Sequence, residues 1–110
     1  MADQISHDDF AKLDIQIGTI VAAERVPETD KLIKCTVDFG ELGERTIVSG
    51  IADYYDPDQL LGKQLPYIVN LAPRMLRGIE SQGMLLACGT DQGVALLEPD
   101  REVPRGTRLR

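Results

Sequence analysis

Between Leu13 and Phe39 the chain switches between apolar and polar residues one position at a time. Leu13, Ile15 and Ile17 are separated by Asp14 and Gln16. Ile33, Cys35, Val37 and Phe39 are separated by Lys34, Thr36 and Asp38. A period of two gathers apolar side chains on one face of a strand and scatters them around a helix. Two half-buried strands are therefore expected, over residues 13–25 and Leu32–Phe39. Gly18 inside the first predicts a bulge or sharp bend, and Pro27 ends it. The stretch Gly40–Glu44 reads as the turn of a hairpin leading into a third strand around Thr46–Val48, closed by Ser49-Gly50.

The rest of the chain continues in short pieces. Pro57, then Asp58-Gln59-Leu60-Leu61, then Gly62 has the start and stop residues of a short helix. A fourth strand is expected over Gln64–Leu71, with Pro66 arguing for an edge or bulged position. Residues 72–81 read as an exposed loop of mixed apolar and basic character. Gly83–Cys88 reads as a continuous apolar strand, followed after the Gly89–Gly93 turn by Val94–Leu97. The tail from Pro99 to Arg110 is expected to be irregular or to pair at an edge. Near the start, Asp8–Lys12 fits one helical turn with Ser6 or Asp8 as N-cap. With 110 residues there is room for one domain. Three strands, a helix and two more strands is the order of the OB-fold. The expected class is thus all-β: a five-stranded barrel with a short helix between strands 3 and 4, and N- and C-terminal extensions.

Composition narrows the function. The formal charge is −6, but it is unevenly spread: residues 1–62 carry 13 acids and 5 bases, residues 63–110 carry 5 acids and 7 bases. A local basic face can hold phosphate on an acidic protein, with an affinity that falls quickly as salt rises. Cys35 and Cys88 form no CxxC pair and sit in apolar runs, so both are expected to be free core thiols in a reducing, cytoplasmic setting. The leading segment MADQISHDDF has neither the basic nor the apolar stretch of a signal peptide. No apolar run approaches membrane-spanning length. The starting Met and short polar lead favour a free-standing protein over a synthetase fragment. His7 is the sole histidine and has no thiol near it, so no metal site is expected. Phosphate-loop signatures and a nucleophile with an activating base are both missing. The chain is thus expected to be non-catalytic and to use no cofactor.

The stretch Val69–Ala87 carries the chemistry. Asn70 offers an amide that can read a base edge or cap a turn. Arg74 and Arg77 lie three apart on the expected loop, while Ser81 and Met84 flank Gly83 at the next strand's entry. One reading is a hairpin loop with solvated arginines. The other is a binding platform, with guanidinium groups for phosphate and a thioether and amide for an unstacked base. With no Trp and few aromatics, the platform would suit the backbone and shape of a folded RNA.

These same segments carry a resemblance. DFAKLDIQIGTIVAAE, TDKL, VDFG, TIVSGIADYY and LLGKQLPYIVNLAPRMLRGIESQGMLLA together resemble the tRNA-binding domain at the C-terminus of bacterial methionyl-tRNA synthetase. They are equally similar to free-standing tRNA-binding proteins of that family. The match covers about residues 8–100 without gaps in the motifs. It implies an OB barrel, homodimerisation, and recognition of tRNA by structure, free or in trans to a synthetase chain. The tRNA-contact residues it implies are Lys31, Ser49, Asn70, Arg74, Ser81 and Met84; Arg77 is added from its place beside Arg74. The closing segment LLEPDREVPRGTRL resembles the free-standing members, including a secretion-chaperone branch. A dimeric protein-binding chaperone is therefore the alternative. Many members have Arg where this chain has Gln16. Phe10 and Leu13 near the N-terminus, and Val94, Leu96, Val103 and Leu109 toward the C-terminus, lack an obvious place inside a closed barrel. They could cover one another across a two-fold dimer, or fold back onto their own barrel.

Overall fold

The computed structural model describes residues 3–110. The N-terminal turn forms as α1 (His7–Ala11), and Ser6 is its cap: the Ser6 hydroxyl accepts from the Asp9 amide at 3.0 Å. The two alternating runs become β1 (Ile15–Arg25) and β2 (Ile33–Asp38), and β3 (Glu44–Ser49) follows after a single 3-10 turn at Gly40–Leu42. The helix between the third and fourth strands is α2 (Pro57–Leu60), where the Gln59 side chain accepts from the Asp56 amide at 2.7 Å. Next comes β4 (Gln64–Ile68). These strands and the two-residue β7 (Met84–Leu85) form one antiparallel sheet in the order β3-β2-β1-β4-β7. It curls into a half-barrel because β1 is long enough to serve two neighbours. Residues Ile15–Thr19 pair with β4 and Thr19–Arg25 pair with β2.

Inside the curl lie Ile20, Ile33, Val37, Ile47, Leu60 and Leu65, with Phe39 and Tyr67 edge-to-face at 5.6 Å between centroids. The alternation of β2 is reproduced in its burial: Ile33, Cys35 and Val37 are buried while Lys34, Thr36 and Asp38 are half-buried. The far edge of β3 is closed mainly by side chains. The Gln82 amide donates to the Thr46 carbonyl at 2.8 Å, the Gln82 side chain accepts from the Thr46 amide, and the Ser81 hydroxyl accepts from the Val48 amide.

Several expectations need correction. The irregularity in β1 falls between Ile20 and Ala22, beyond Gly18. Gly18 is small because a Cβ there would collide with Val37 and the Phe39 ring. Pro66 sits inside the sheet, between β1 and β7. It is tolerated because Ile17, opposite it, turns its own amide and carbonyl away, to Thr107 and Gly106 of the tail. Residues 72–81 form a hairpin, β5 (Arg74–Leu76) with β6 (Ile79–Ser81). The two-residue turn Arg77-Gly78, with φ of 50° and 80°, has the left-handed geometry that matches strand twist. The Gly83–Cys88 run breaks at Leu86 into β7 and β8 (Ala87–Thr90), and β8 pairs with β9 (Gly93–Leu96). Cys35 is buried as expected, but Cys88 is exposed. The tail pairs at an edge, laying Gly106–Leu109 along the free side of β1.

Candidate nucleic-acid interface

At the open end of the half-barrel, the β5–β6 hairpin, the end of β3 and the start of β8 enclose a cleft of about 470 Å³. Its lining includes Ser49, Arg74, Leu76, Ser81, Met84 and Val94. Four of the residues singled out from the sequence for tRNA contact, Ser49, Arg74, Ser81 and Met84, therefore line one cleft. Arg74 is exposed, on the strand facing Ser81. Met84 is 43% exposed, leaving its thioether available to an incoming group. Ser49 is half-buried at the end of β3.

The others are placed differently. The Lys31 carbonyl accepts from the Ala52 amide at 3.1 Å, so the Thr29–Lys31 turn braces the Gly50–Ala52 rim while the Lys31 side chain remains exposed. Arg77 stands exposed at the hairpin tip, outside the cleft lining. The Asn70 amide is already engaged. Its oxygen accepts from the Asp14 amide at 2.9 Å and its nitrogen donates to the Lys12 carbonyl at 2.6 Å, tying the N-terminal segment to the end of β4. The Ser81 hydroxyl is 4% exposed as a residue and spent on Val48 and Gly83. Both residues thus hold the frame of the site with the groups that were expected to touch RNA.

Sequence reading missed Arg45 and Gln82. Arg45 donates to the Val69 carbonyl at 2.6 Å and the Gln82 carbonyl at 3.4 Å, joining the two ends of the hairpin segment. A lone arginine near the start of a strand looks like an ordinary solvated cation, so no local signal distinguished it. Gln16, the departure from the family pattern, is half-buried and donates to Asp14. Arg108 bridges opposite it and holds the same carboxylate, so the tail supplies a guanidinium here.

The candidate dimer residues divide. Val94 and Leu96 pack partly against the core, and the Tyr55 hydroxyl donates to the Val94 carbonyl at 3.2 Å. Val103 is half-buried, bonded through its backbone to both polar atoms of the Gln64 side chain. Leu13 is half-buried, while Phe10 and Leu109 are each 38% exposed, Leu109 with its amide on the Ile15 carbonyl. The tail thus folds back on its own barrel through its backbone.

Electrostatics separates this end from the rest. Of the 12 basic residues, Lys12, Arg25, Lys34, Lys63, Arg105 and Arg108 each contact a carboxylate. Among the described residues Lys31, Arg45, Arg74, Arg77, Arg101 and Arg110 have no such partner. Arg74 and Arg77 stand on the hairpin, Lys31 beside the Gly50–Ala52 rim, and Arg45 at the start of β3, bonded to the hairpin's two ends. An acidic protein has paired off half its bases and left a group of free ones here.

Comparison with known proteins accords with this geometry. Residues 15–108 match the profile of the family described as "Putative tRNA binding domain". The chain is 47% identical over 111 residues to Methionine--tRNA ligase of Porphyromonas gingivalis, covering all of this chain and 16% of that protein; it therefore spans about one sixth of such curated relatives. Among solved structures, the MetRS related protein from Pyrococcus horikoshii is 44% identical. It superposes with a TM-score of 0.92 over 99% of this chain and 100% of its own. The chaperone CsaA of Bacillus anthracis is 34% identical, with a TM-score of 0.89 over 98% of this chain and 100% of its own. By its profile match and its full-length likeness to these proteins, the chain belongs to the tRNA-binding domain family found at the C-terminal region of methionyl-tRNA synthetases and in free-standing relatives.

Proposed function

We propose that the protein is a non-catalytic module that binds tRNA by its backbone and shape, through the cleft end of the half-barrel. The observation that carries this reading is the group of carboxylate-free bases around the hairpin. Lys31, Arg74 and Arg77 would neutralise phosphates, and Met84 and Ser49 would touch the RNA surface. Asn70 and Ser81 would act by fixing the loop and strand that present those groups. The working form would be a two-fold dimer in the cytoplasm, acting free or beside a methionyl-tRNA synthetase catalytic chain. Phe10 and Leu109, still partly exposed, would belong to the dimer contact, with Leu13, Val94, Leu96 and Val103 supporting it. Two cleft ends on one rigid body would raise avidity without a new kind of contact.

A gel-shift with total tRNA, with and without an excess of unstructured RNA, tests the central claim. The shift should survive the competitor and weaken as salt rises; competition by unstructured RNA at equal mass would overturn shape recognition. Sedimentation equilibrium at micromolar protein tests the dimer, which a lone 12.1 kDa species would refute. One observation favours a second reading, protein binding: the cleft is lined largely by apolar side chains, and the chaperone CsaA shares the whole fold. Binding of an unfolded apolar peptide, blocked by tRNA, would support that use of the same cleft.

A further inference from the structure

Arg45 is half-buried and has no carboxylate partner among the described residues, so its charge is left available to an outside anion. Its contacts are one-sided. Both carbonyl contacts, to Val69 and Gln82, go to Nη1. The N–H groups of Nε and Nη2 remain. They lie along one edge of the planar fork, the edge that grips two oxygens of a carboxylate or phosphate side by side. Arg45 also lines a recess of about 430 Å³ at the base of the hairpin, with Val69, Asn70, Ala72, Pro73 and Gln82. Among the described residues no acidic one lines it. Leu71 and Ala72 line both this recess and the main cleft, so the two are neighbours across one segment of chain. Pinning Nη1 holds the fork in place, which lowers the entropy lost on gripping an anion.

We infer that the Arg45 recess is a second anion site, taking one backbone phosphate of the RNA through the Nε–Nη2 edge while the main cleft holds its neighbours. This rests on the tRNA-binding reading and extends its footprint around the hairpin base. Gln82 is the handle for a test. Its side-chain oxygen accepts from the Thr46 amide, a bond that a carboxylate can keep. Gln82→Glu would place a negative charge in the recess and satisfy Arg45 from within. Gln92→Glu, on the exposed β8–β9 turn, makes the same change in net charge away from the recess.

The experiment measures tRNA affinity by fluorescence anisotropy across a salt series for the parent, Gln82→Glu and Gln92→Glu. Gln82→Glu should lose about fivefold in affinity, on the scale of one charge-assisted contact. The magnitude of its slope of log affinity against log salt should fall by about 0.7–0.9, the share of one phosphate. Gln92→Glu should keep the parent slope. Equal behaviour of the two variants overturns the Arg45 site and leaves the tRNA reading standing. A parent without salt-dependent tRNA binding removes that reading and this site together. Should Gln82→Glu fail to fold, the Arg45 Nε–H resonance of the parent decides: it should shift on addition of tRNA, and an unmoved resonance overturns the proposal. Inorganic phosphate alone, at matched ionic strength, separates a free-anion site from one that needs RNA: a shift with phosphate alone would overturn the RNA-specific assignment.

Discussion

The curled sheet of β1 to β4 and the hairpin region from Arg74 to Leu96 are built on different principles. In the first, strands of five to eleven residues share long ladders, and Ile33, Val37 and Leu65, with Leu60 of α2 in the same core, are sealed at 0% exposure. In the second, strands run two to four residues, β8 is exposed throughout, and shape depends on single side chains. Asn70, Ser81, Gln82 and Arg45 each reach a backbone group far away in sequence. The lesson is a division of labour. Burial holds the body, whereas polar clamps hold the region that carries Arg74 and Arg77. Damage to the body should thus appear in stability, and damage to the tip in binding.

The largest effect is expected at the body. Leu65→Ala should cost about 2–5 kcal/mol in urea unfolding, since a fully buried leucine leaves a cavity when truncated. The tRNA affinity of the protein that remains folded should be unchanged; a matching loss of affinity would break the division. Ser81→Ala tests the clamp between the two regions. It strips the Val48 amide of its acceptor in a buried setting, so about 1–3 kcal/mol of stability should go. Ser81→Cys, which keeps a weak acceptor, should recover part of it, and a loss of binding without any loss of stability would instead make Ser81 a direct RNA contact.

Arg74→Ala should do the reverse. An exposed arginine without a carboxylate partner contributes little to folding, so the melting temperature should stay put while tRNA binding weakens by about 1–2 kcal/mol. Parent-like affinity in Arg74→Ala would move the site off the cleft. The smallest effect, absent at neutral pH, separates the two cysteines. Burial pushes the Cys35 thiol up from 9.0 to about 11. A folded-state pKa above the unfolded one leaves its stabilisation intact below pH 9 and removes it as pH rises toward 11. Cys35→Ala should flatten that alkaline decline relative to the parent. Under native conditions at pH 8, iodoacetamide should label exposed Cys88 and spare Cys35; labelling of both at equal rates would mean the body opens as readily as the tip.

Alternation and turn residues determined the order and the kind of elements in the body. The period of two in Ile33–Phe39, the Gly40–Glu44 turn and the Pro57–Gly62 frame each report a local preference that burial in the barrel reinforces. The motif TDKL and the segment Val69–Ala87 single out the proposed binding end in the same way, as runs of contiguous residues. The hairpin at residues 72–81 was legible in principle, since Arg77-Gly78 can supply two left-handed residues in a row, but its strands are three residues each and too short to show a period. What only the tertiary structure decided lies in contacts between residues far apart in sequence. Asn70 and Ser81 look like free polar groups in the sequence, yet partners 56 and 33 positions away consume their hydrogen bonds. Pro66 is allowed inside a sheet because the tail, some 40 residues later, takes the bonds of the residue opposite it. Arg45 becomes distinctive only once the fold has paired six of the other eleven bases with carboxylates and placed it in the lining of a recess with no acidic residue among the described ones. Hydrophobic periodicity is a property of neighbours along the chain, whereas the satisfaction of a polar group depends on whichever partner the fold brings to it.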